Sequence, residues 1–512
     1  YADSVKAGGE VDVEIKEFTI NQQREHILRD IYELRPDVTA FPCYIWNIEY
    51  VCAVAGELKK VRPDMKIWLG GPEVSYNAEE FMKAHCWADV IMRGEGEETF
   101  SELCRAKEAE YPFIKGLTYR AEGHAYPGPK GNAPKAGNVL ETMEKPAQPD
   151  AFKTGQIIST MDRKLLDMDR IPFPYNDENL PENSRIIYYE SSRGCPFSCS
   201  YCLSSEDKCL RYRSLEKVFD ELQFFIDREV PQVKFVDRTF NVNRDRTRGI
   251  WEYLIAHDKG ITNFHFEISA DLLDEEELAI ISRMRPGLIQ LEIGVQSTNP
   301  ETLRAIGRNM NLNKLKANVA AVKSFGNVHQ HLDLIAGLPF EDIESFRKSF
   351  NDVYAMGPAQ LQLGFLKVLK GTRMEKEFAS YGGVCTEAPP YEVLKTDMLK
   401  FEDVLRLKKI EEMVELYANS GQYSRTLPLL MSRWEATAFD FFDRLGDYFS
   451  DHGLFSMAHS RLNKYSFILK FAEENMDIDR AALKEAAMAD YAERDAIRGS
   501  AKVFFNSLFV EL

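Results

Sequence analysis

The chain has 512 residues, 44% of them hydrophobic, 12% aromatic and 28% charged; this is the composition of a soluble globular protein with apolar material for about three domains. Its net charge of −17 argues against a nucleic-acid partner held by bulk electrostatics, though not against a local basic groove. No membrane span or secretory signal is visible, since "CYIWNIEYVCAVAG" is short and broken by Glu49; the chain is therefore assigned to the cytoplasm, where clustered thiols are metal or redox sites before they are disulfides.

The first 120 residues alternate. Residues 11–20 read as a strand, 23–35 as a helix, 37–43 as a strand and 48–62 as a helix. A strand over 65–71 ends on Gly70 and Gly71, and a helix (77–85), a strand (88–94) and a helix from Glu95 follow. This order predicts an α/β domain, a parallel sheet covered on both faces, with ligands at the carboxyl ends of its strands. Residues 121–183 are rich in Gly, Pro and Asn and read as a linker. From 184 a second alternation places strands at 185–194, 231–237, 263–269, 288–295, 329–337 and 360–368, with helices such as 215–229 and 248–258 between. Six β/α units predict a partial or full barrel over 184–380 that works through the loops after its strands. Residues 381–512 read as mainly helical, with helices over 392–421, 437–449 and 461–474, and no catalytic motif.

"SSRGCPFSCSYCLSS" (191–205) holds three of the nine cysteines: Cys195, Cys199 and Cys202. A disulfide leaves one of three thiols odd, and structural zinc calls for a second pair that the region of Cys385 does not offer. Three thiolates on one loop suit an iron–sulfur cluster, with one of four irons open. Cys209 lies outside the pattern; Cys43, Cys52, Cys86, Cys104 and Cys385 read as small core residues or bystanders.

These cysteines, with Arg193-Gly194 before them and Tyr201 among them, resemble the signature of radical S-adenosylmethionine (SAM) enzymes. The resemblance implies a [4Fe-4S] cluster on Cys195, Cys199 and Cys202, with SAM chelated at the open iron and cleaved to a 5′-deoxyadenosyl radical. It implies further SAM contacts. "FVDRTFN" stands where the family carries Gly-Gly-Glu; without those glycines, Asp237 and Thr239 take that place. "HFEISAD" offers Glu267 and Ser269. "LEIGVQSTNPETL" offers Glu292, Gln296 and Ser297, and "DLIAGLPFE" offers Gly337, Leu338 and Pro339. Each also has a plainer reading, Gly294 and Gly337 as turn residues and Glu292 as an ion-pair partner.

Upstream, "FPCYIWN", "LGGPEVS" and "RGEGEETF" each follow a strand and are similar to the loops of a flavodoxin-like, Rossmann-like cobalamin-binding domain. The resemblance implies corrin contacts from Cys43, Tyr44, Ile45, Trp46, Asn47, Gly70, Gly71, Pro72, Glu73, Gly94, Glu95 and Gly96. The Asp-x-His-x-x-Gly cobalt-ligand segment is absent, and His26 and His85 lie in helical patterns; the lower face of cobalt then falls to Tyr44, Ile45 or Trp46. Tyr1–Gly9 reads as the end of a helix, so a preceding strand, central to the sheet, is expected upstream. The last region resembles a C-terminal extension of unknown function (DUF4080-like), either a cap or a lid over the barrel mouth. Taken together, the resemblance implies a cobalamin-dependent radical SAM methyltransferase working at carbon through methylcobalamin. Its partners are a small-molecule or peptide substrate and a reductant such as flavodoxin or ferredoxin. Radical cyclisation or ring rearrangement with the same cofactors, and a non-catalytic sensor, are the alternatives.

Overall fold

Strand alternation builds the first sheet. In β2 (Lys66–Gly70), Ile67 and Leu69 join one apolar cluster and Trp68 the other, because successive side chains leave opposite faces. The first cluster takes Ile27 and Ile31 of α1 (Arg24–Leu34) and Val51, Val54 and Leu58 of α2 (Ile48–Val61). Strand β1 (Val38–Pro42), β2 and β3 (Val90–Met92) are parallel, and the sheet continues antiparallel through β4 (Leu117–Arg120) and β5 (Ile157–Ser159). This is a computed structural model, and it describes residues 11–121, 155–180, 186–206, 208–456, 458–495, 497–498 and 500–507. The chain forms two units, Tyr1–Pro174 with Glu387–Pro390, and Tyr175–Thr386 with Tyr391–Leu512.

Two expectations for the first unit need correction. Residues 11–19 form no strand, and Val11, Val13 and Ile15 are exposed. A strand needs a neighbour for its backbone N–H and C=O groups. Among the described residues no strand pairs with this stretch, and the sheet runs from β1 through β2 and β3 to β4 and β5. Second, the stretch assigned to linker supplies β5. Beyond it the Arg163 guanidinium reaches Glu98 at 3.1 Å, and the Leu166 N–H donates to Glu95 Oε2 at 2.7 Å. Residues 1–10, 122–154 and 181–185, where the first helix end and most of the linker were expected, lie outside the described residues.

The second unit carries six parallel strands in chain order: β6 (Ile187–Tyr189), β7 (Gln232–Phe235), β8 (Asn263–Ile268), β9 (Ile289–Gln296), β10 (His329–Ala336) and β11 (Gln360–Phe365). It is the partial six-unit barrel that the sequence predicts. Ile289, Leu291, Ile293 and Val295 of β9 point to the helix layer, as do Leu332 and Leu334 of β10. The alternate positions face the concave side and are polar: Lys234, His265, Glu267, Gln290, Glu292, His331 and Asp333. Closed β/α barrels fill this space with branched apolar side chains; a polar lumen is built for a ligand.

The C-terminal region is mainly helical. The expected helix over 392–421 is shorter, because Val393–Lys395 pairs antiparallel with Val384–Cys385 and Val393 is fully buried. Helix Phe401–Met413 then runs into a π-helical turn, Val414–Asn419. There the Asn419 side-chain amide both donates to Leu361 O (2.8 Å) and accepts from Leu361 N (2.9 Å), closing part of the outer edge of β11. No described helix is long and apolar enough to cross a membrane.

Candidate functional site

The cysteine loop begins where β6 ends. Ser191 N–H and hydroxyl donate to Asp237 at 2.8 and 2.7 Å, and the Ser192 hydroxyl donates at 2.5 Å. Asp237, expected to meet SAM, is thus buried and spends both oxygens anchoring this loop. Thr239 leans on the site instead, its hydroxyl 3.7 Å from Cys195 Sγ. Cys195 and Cys199 are buried and Cys202 half-buried. The Ser205 hydroxyl ties down the carbonyls of Cys199 (2.9 Å) and Cys202 (2.7 Å). Among the described residues, no three His, Cys, Asp or Glu side chains are placed to hold a metal ion.

Gln296 closes β9 after a bulge and adopts a left-handed φ of 69°. Its side chain folds back over Gly294, so that a Cβ there would displace the Gln296 amide. Gln296 Oε1 and, on the neighbouring strand, Asp333 Oδ1 are buried without a hydrogen-bond partner. Two orphaned acceptors in the lumen fit the ammonium and hydroxyl donors of SAM. Glu267 is in the same lumen. Burial, helped by Glu292 and Glu267, pushes the Asp333 carboxyl up to about 8, and burial pushes Glu267 up to about 7. The alternation of His331, Asp333 and Ile335 with apolar neighbours marks Asp333 as lumen-facing; sequence reasoning quoted its motif but passed over it.

Other expected contacts are spent elsewhere. Glu292 follows its plainer reading. His265 Nε2 (3.0 Å, close but poorly aligned) and Lys234 Nζ (2.9 Å) share its Oε2, and together they hold its carboxyl down at about 2. Ser297 is fully buried and donates to Glu341 Oε1 at 2.6 Å. The Ser269 hydroxyl donates to Asp271 at 2.7 Å, and its N–H and C=O are both bridged by the Asn241 amide. Tyr201 lies beside Cys199 and Arg308, its pKa raised by burial. Gly337 has φ 86°, and a Cβ there would stand 2.6 Å from Val393 Cγ1; Leu338 is buried and Pro339 continues the turn.

The raised Asp333 pKa has a consequence in pH. Below about pH 4 folded and unfolded chains both hold the proton; as pH rises only the unfolded chain releases it, and stability falls until about pH 8. Asp333→Asn cannot ionise. Its stability in urea should gain on the wild type by up to about 1.4 kcal/mol per pH unit between about pH 5 and 8. A difference that stays flat across this range contradicts the assignment.

In the first unit the expected cobalamin residues divide in the same way. Cys43 is fully buried in the core, and burial pushes its thiol up to about 12. Gly71 (φ 109°) packs so close to Cys43 that a Cβ would meet Cys43 O at 2.5 Å. Cys43 N–H donates to Gly70 O at 2.6 Å, and Glu73 N–H to Cys43 O at 3.3 Å, so the first two loops are stitched together. Pro72 opens the short helix Pro72–Ser75, and Glu73 is buried. Asn47 holds its own loop, accepting from Tyr44 N (2.7 Å) and donating to Pro42 O (2.9 Å). That loop lifts Tyr44 and Trp46 into solvent as a stacked pair, centroids 4.5 Å apart, with Ile45 half-buried between them in sequence. Gly94 and Gly96 face open space, beside Glu95. An exposed aromatic pair and two open glycines at a strand's carboxyl edge fit a bulky, largely apolar ring such as a corrin.

Three family descriptions match the chain: B12 binding domain over residues 2–104, Radical SAM superfamily over 189–353, and Protein of unknown function (DUF4080) over 379–508. The cobalamin-dependent radical SAM methyltransferase TokK of Streptomyces tokunonensis is 25% identical over 81% of this chain and 62% of its own. The anaerobic magnesium-protoporphyrin IX monomethyl ester cyclase of Rubrivivax gelatinosus is 26% identical over 68% of this chain and 59% of its own. The chain thus spans less than two thirds of the length of these curated relatives. The structure of the cobalamin-dependent S-adenosylmethionine radical enzyme OxsB, with aqua-cobalamin and S-adenosylmethionine bound, matches with a TM-score of 0.58 at 13% identity, covering 96% of this chain and 78% of that one; at such identity the likeness is one of fold. With these three regions in this order, and with cobalamin, SAM and a [4Fe-4S] cluster as their cofactors, the chain belongs to the cobalamin-binding radical SAM enzymes that carry a DUF4080 region.

Proposed function

We propose that the protein transfers a methyl group to a carbon atom of a small-molecule or peptide substrate. The observation that carries this reading is the loop of Cys195, Cys199 and Cys202 at the carboxyl end of the first strand of a polar-lined barrel, in a chain that also holds a B12 binding domain. TokK, by its name a methyltransferase, supports transfer of a methyl group. When bound, the cluster supplies the electron that cleaves SAM, and cobalamin carries the methyl group. In this reading Cys195, Cys199 and Cys202 hold the cluster. Gln296, Glu267 and Asp333 orient SAM, and Thr239 and Tyr201 flank it. Tyr44, Trp46, Gly94 and Gly96 would hold the corrin. The polar lumen positions the reactants, and the layer behind it excludes water. The protein works in the cytoplasm, with a flavodoxin- or ferredoxin-type reductant.

The test is anaerobic turnover of the reconstituted protein with SAM carrying a trideuterated methyl group and a pool of small molecules from cell extract. The expected result is 5′-deoxyadenosine together with one compound that gains the labelled methyl group. SAM cleavage with no label in any compound points instead to cyclisation or rearrangement, the activity named for the relative from Rubrivivax gelatinosus. A loaded cluster with no 5′-deoxyadenosine points to a sensor.

A further inference from the structure

The segment Ala305–Arg308 belongs to none of the motifs that explain SAM or cobalamin, yet it forms the bed of the cysteine loop. Ser200 N–H donates to Ile306 O at 2.8 Å. Gly307, at φ 69°, lies so close under the loop that a Cβ would stand 2.6 Å from Ser198 O. Arg308 ends the segment. One guanidinium nitrogen, Nη1, is 3.7 Å from Cys199 Sγ, and the other, Nη2, donates to Gly294 O. Its Nε is sealed from solvent and has no partner. Among the described residues no carboxylate lies within ion-pair distance of Arg308, so its charge is not neutralised by contact. Tyr201, Cys199 and Asp271 are the groups around it that favour the charged form.

We propose that Arg308 is a positioning residue for the cluster: it fixes Cys199 by an N–H···S bond and sets an uncompensated positive charge beside the thiolates, which favours the reduced cluster. The proposal rests on the reading that Cys195, Cys199 and Cys202 carry [4Fe-4S]. Reduction brings one electron from an external low-potential donor and adds one negative charge to a group that already bears three thiolates. Reduction potentials of such clusters follow net charge, hydrogen bonds to sulfur and solvent exposure. Arg308 acts on the first two together, and Gly294 and Gly307 supply the space that lets it do so.

The experiment uses the full chain, reconstituted without SAM, poised with dithionite and viologen mediators, and read by iron content and by the electron paramagnetic resonance of the reduced cluster. Arg308→Gln removes the charge but keeps a donor; Arg308→Lys keeps the charge. At the wild-type midpoint, with equal iron, the Gln variant is expected to show a reduced-to-oxidised ratio at least tenfold lower, which for a one-electron couple is about 59 mV. The Lys variant is expected to stay within about threefold of the wild type. A Gln ratio within about threefold of the wild type overturns the proposal. If the Gln variant loses its iron, the Lys variant decides, because a tenfold drop there overturns the role of charge. A wild-type protein that takes up no four-iron cluster refutes the functional reading itself, which keeps the two failures apart.

Discussion

Alanine at Cys195, Cys199 or Cys202 is expected to abolish the visible absorbance of the reconstituted cluster, whereas Cys209→Ala leaves absorbance and iron content at the wild-type level. The effect is all-or-none because each iron but one takes a single protein thiolate, and soft anionic sulfur has no substitute among the neighbouring side chains. Cys195 and Cys199 are buried, held by the Asp237 anchor on one side and the Ile306–Arg308 bed on the other. Cys209 is exposed, past the turn that Ser205 closes. Trimming a buried thiol to a methyl group costs only about 1 kcal/mol of packing. The three variants should therefore remain folded, with far-ultraviolet circular dichroism like the wild type, so that iron loss reports ligation. Equal iron loss from Cys209→Ala overturns the assignment.

The cysteine loop was legible because its signal is local: three thiols, fixed spacing, one strand before them. The barrel was legible for a similar reason, since period-2 strands and helical segments recur six times over. What the sequence does not show is which polar residues within the quoted motifs already have partners in the fold. Asp237, Ser297 and Glu292 each sit where a SAM contact was expected. Their partners come from elsewhere in the fold: Ser191 and Ser192, Glu341, and Lys234 with His265. A side chain with a buried partner is already spent, and no spacing in the sequence reveals that. Asp333 could have been found from alternation along β10, whereas Arg308 could not, because its contact with Cys199 joins residues 109 positions apart. Residues 11–20 alternate as a strand should, but a strand is a property of a pair. The β11 edge shows the same rule from the other side, since Asn419, from the C-terminal region, stands in for a neighbouring strand there.

The second large effect follows from Asp237. Its carboxylate accepts from one backbone N–H and two hydroxyls, and Arg246 stands near enough to stabilise its charge while donating to Ser191 O at 3.1 Å. Asp237→Ala strands these buried donors. Orphaned buried donors cost about 1–3 kcal/mol each, costs that do not simply add. The expected loss is about 3–5 kcal/mol in the barrel, read as a lowered urea midpoint and faster hydrogen exchange in β6 and β7. The cysteine loop, cut from its anchor, should also release iron faster than the wild type. Asp237→Asn keeps one acceptor for the Ser191 N–H, and the two hydroxyls can turn to meet its amide, so its cost should be about 1–2 kcal/mol. These variants separate the two roles open to the residue. An anchor loses stability in proportion to the donors it strands, and SAM affinity falls only as the fold does. A SAM ligand loses affinity with stability intact, and that outcome for Asp237→Asn would restore the contact that the sequence resemblance implied.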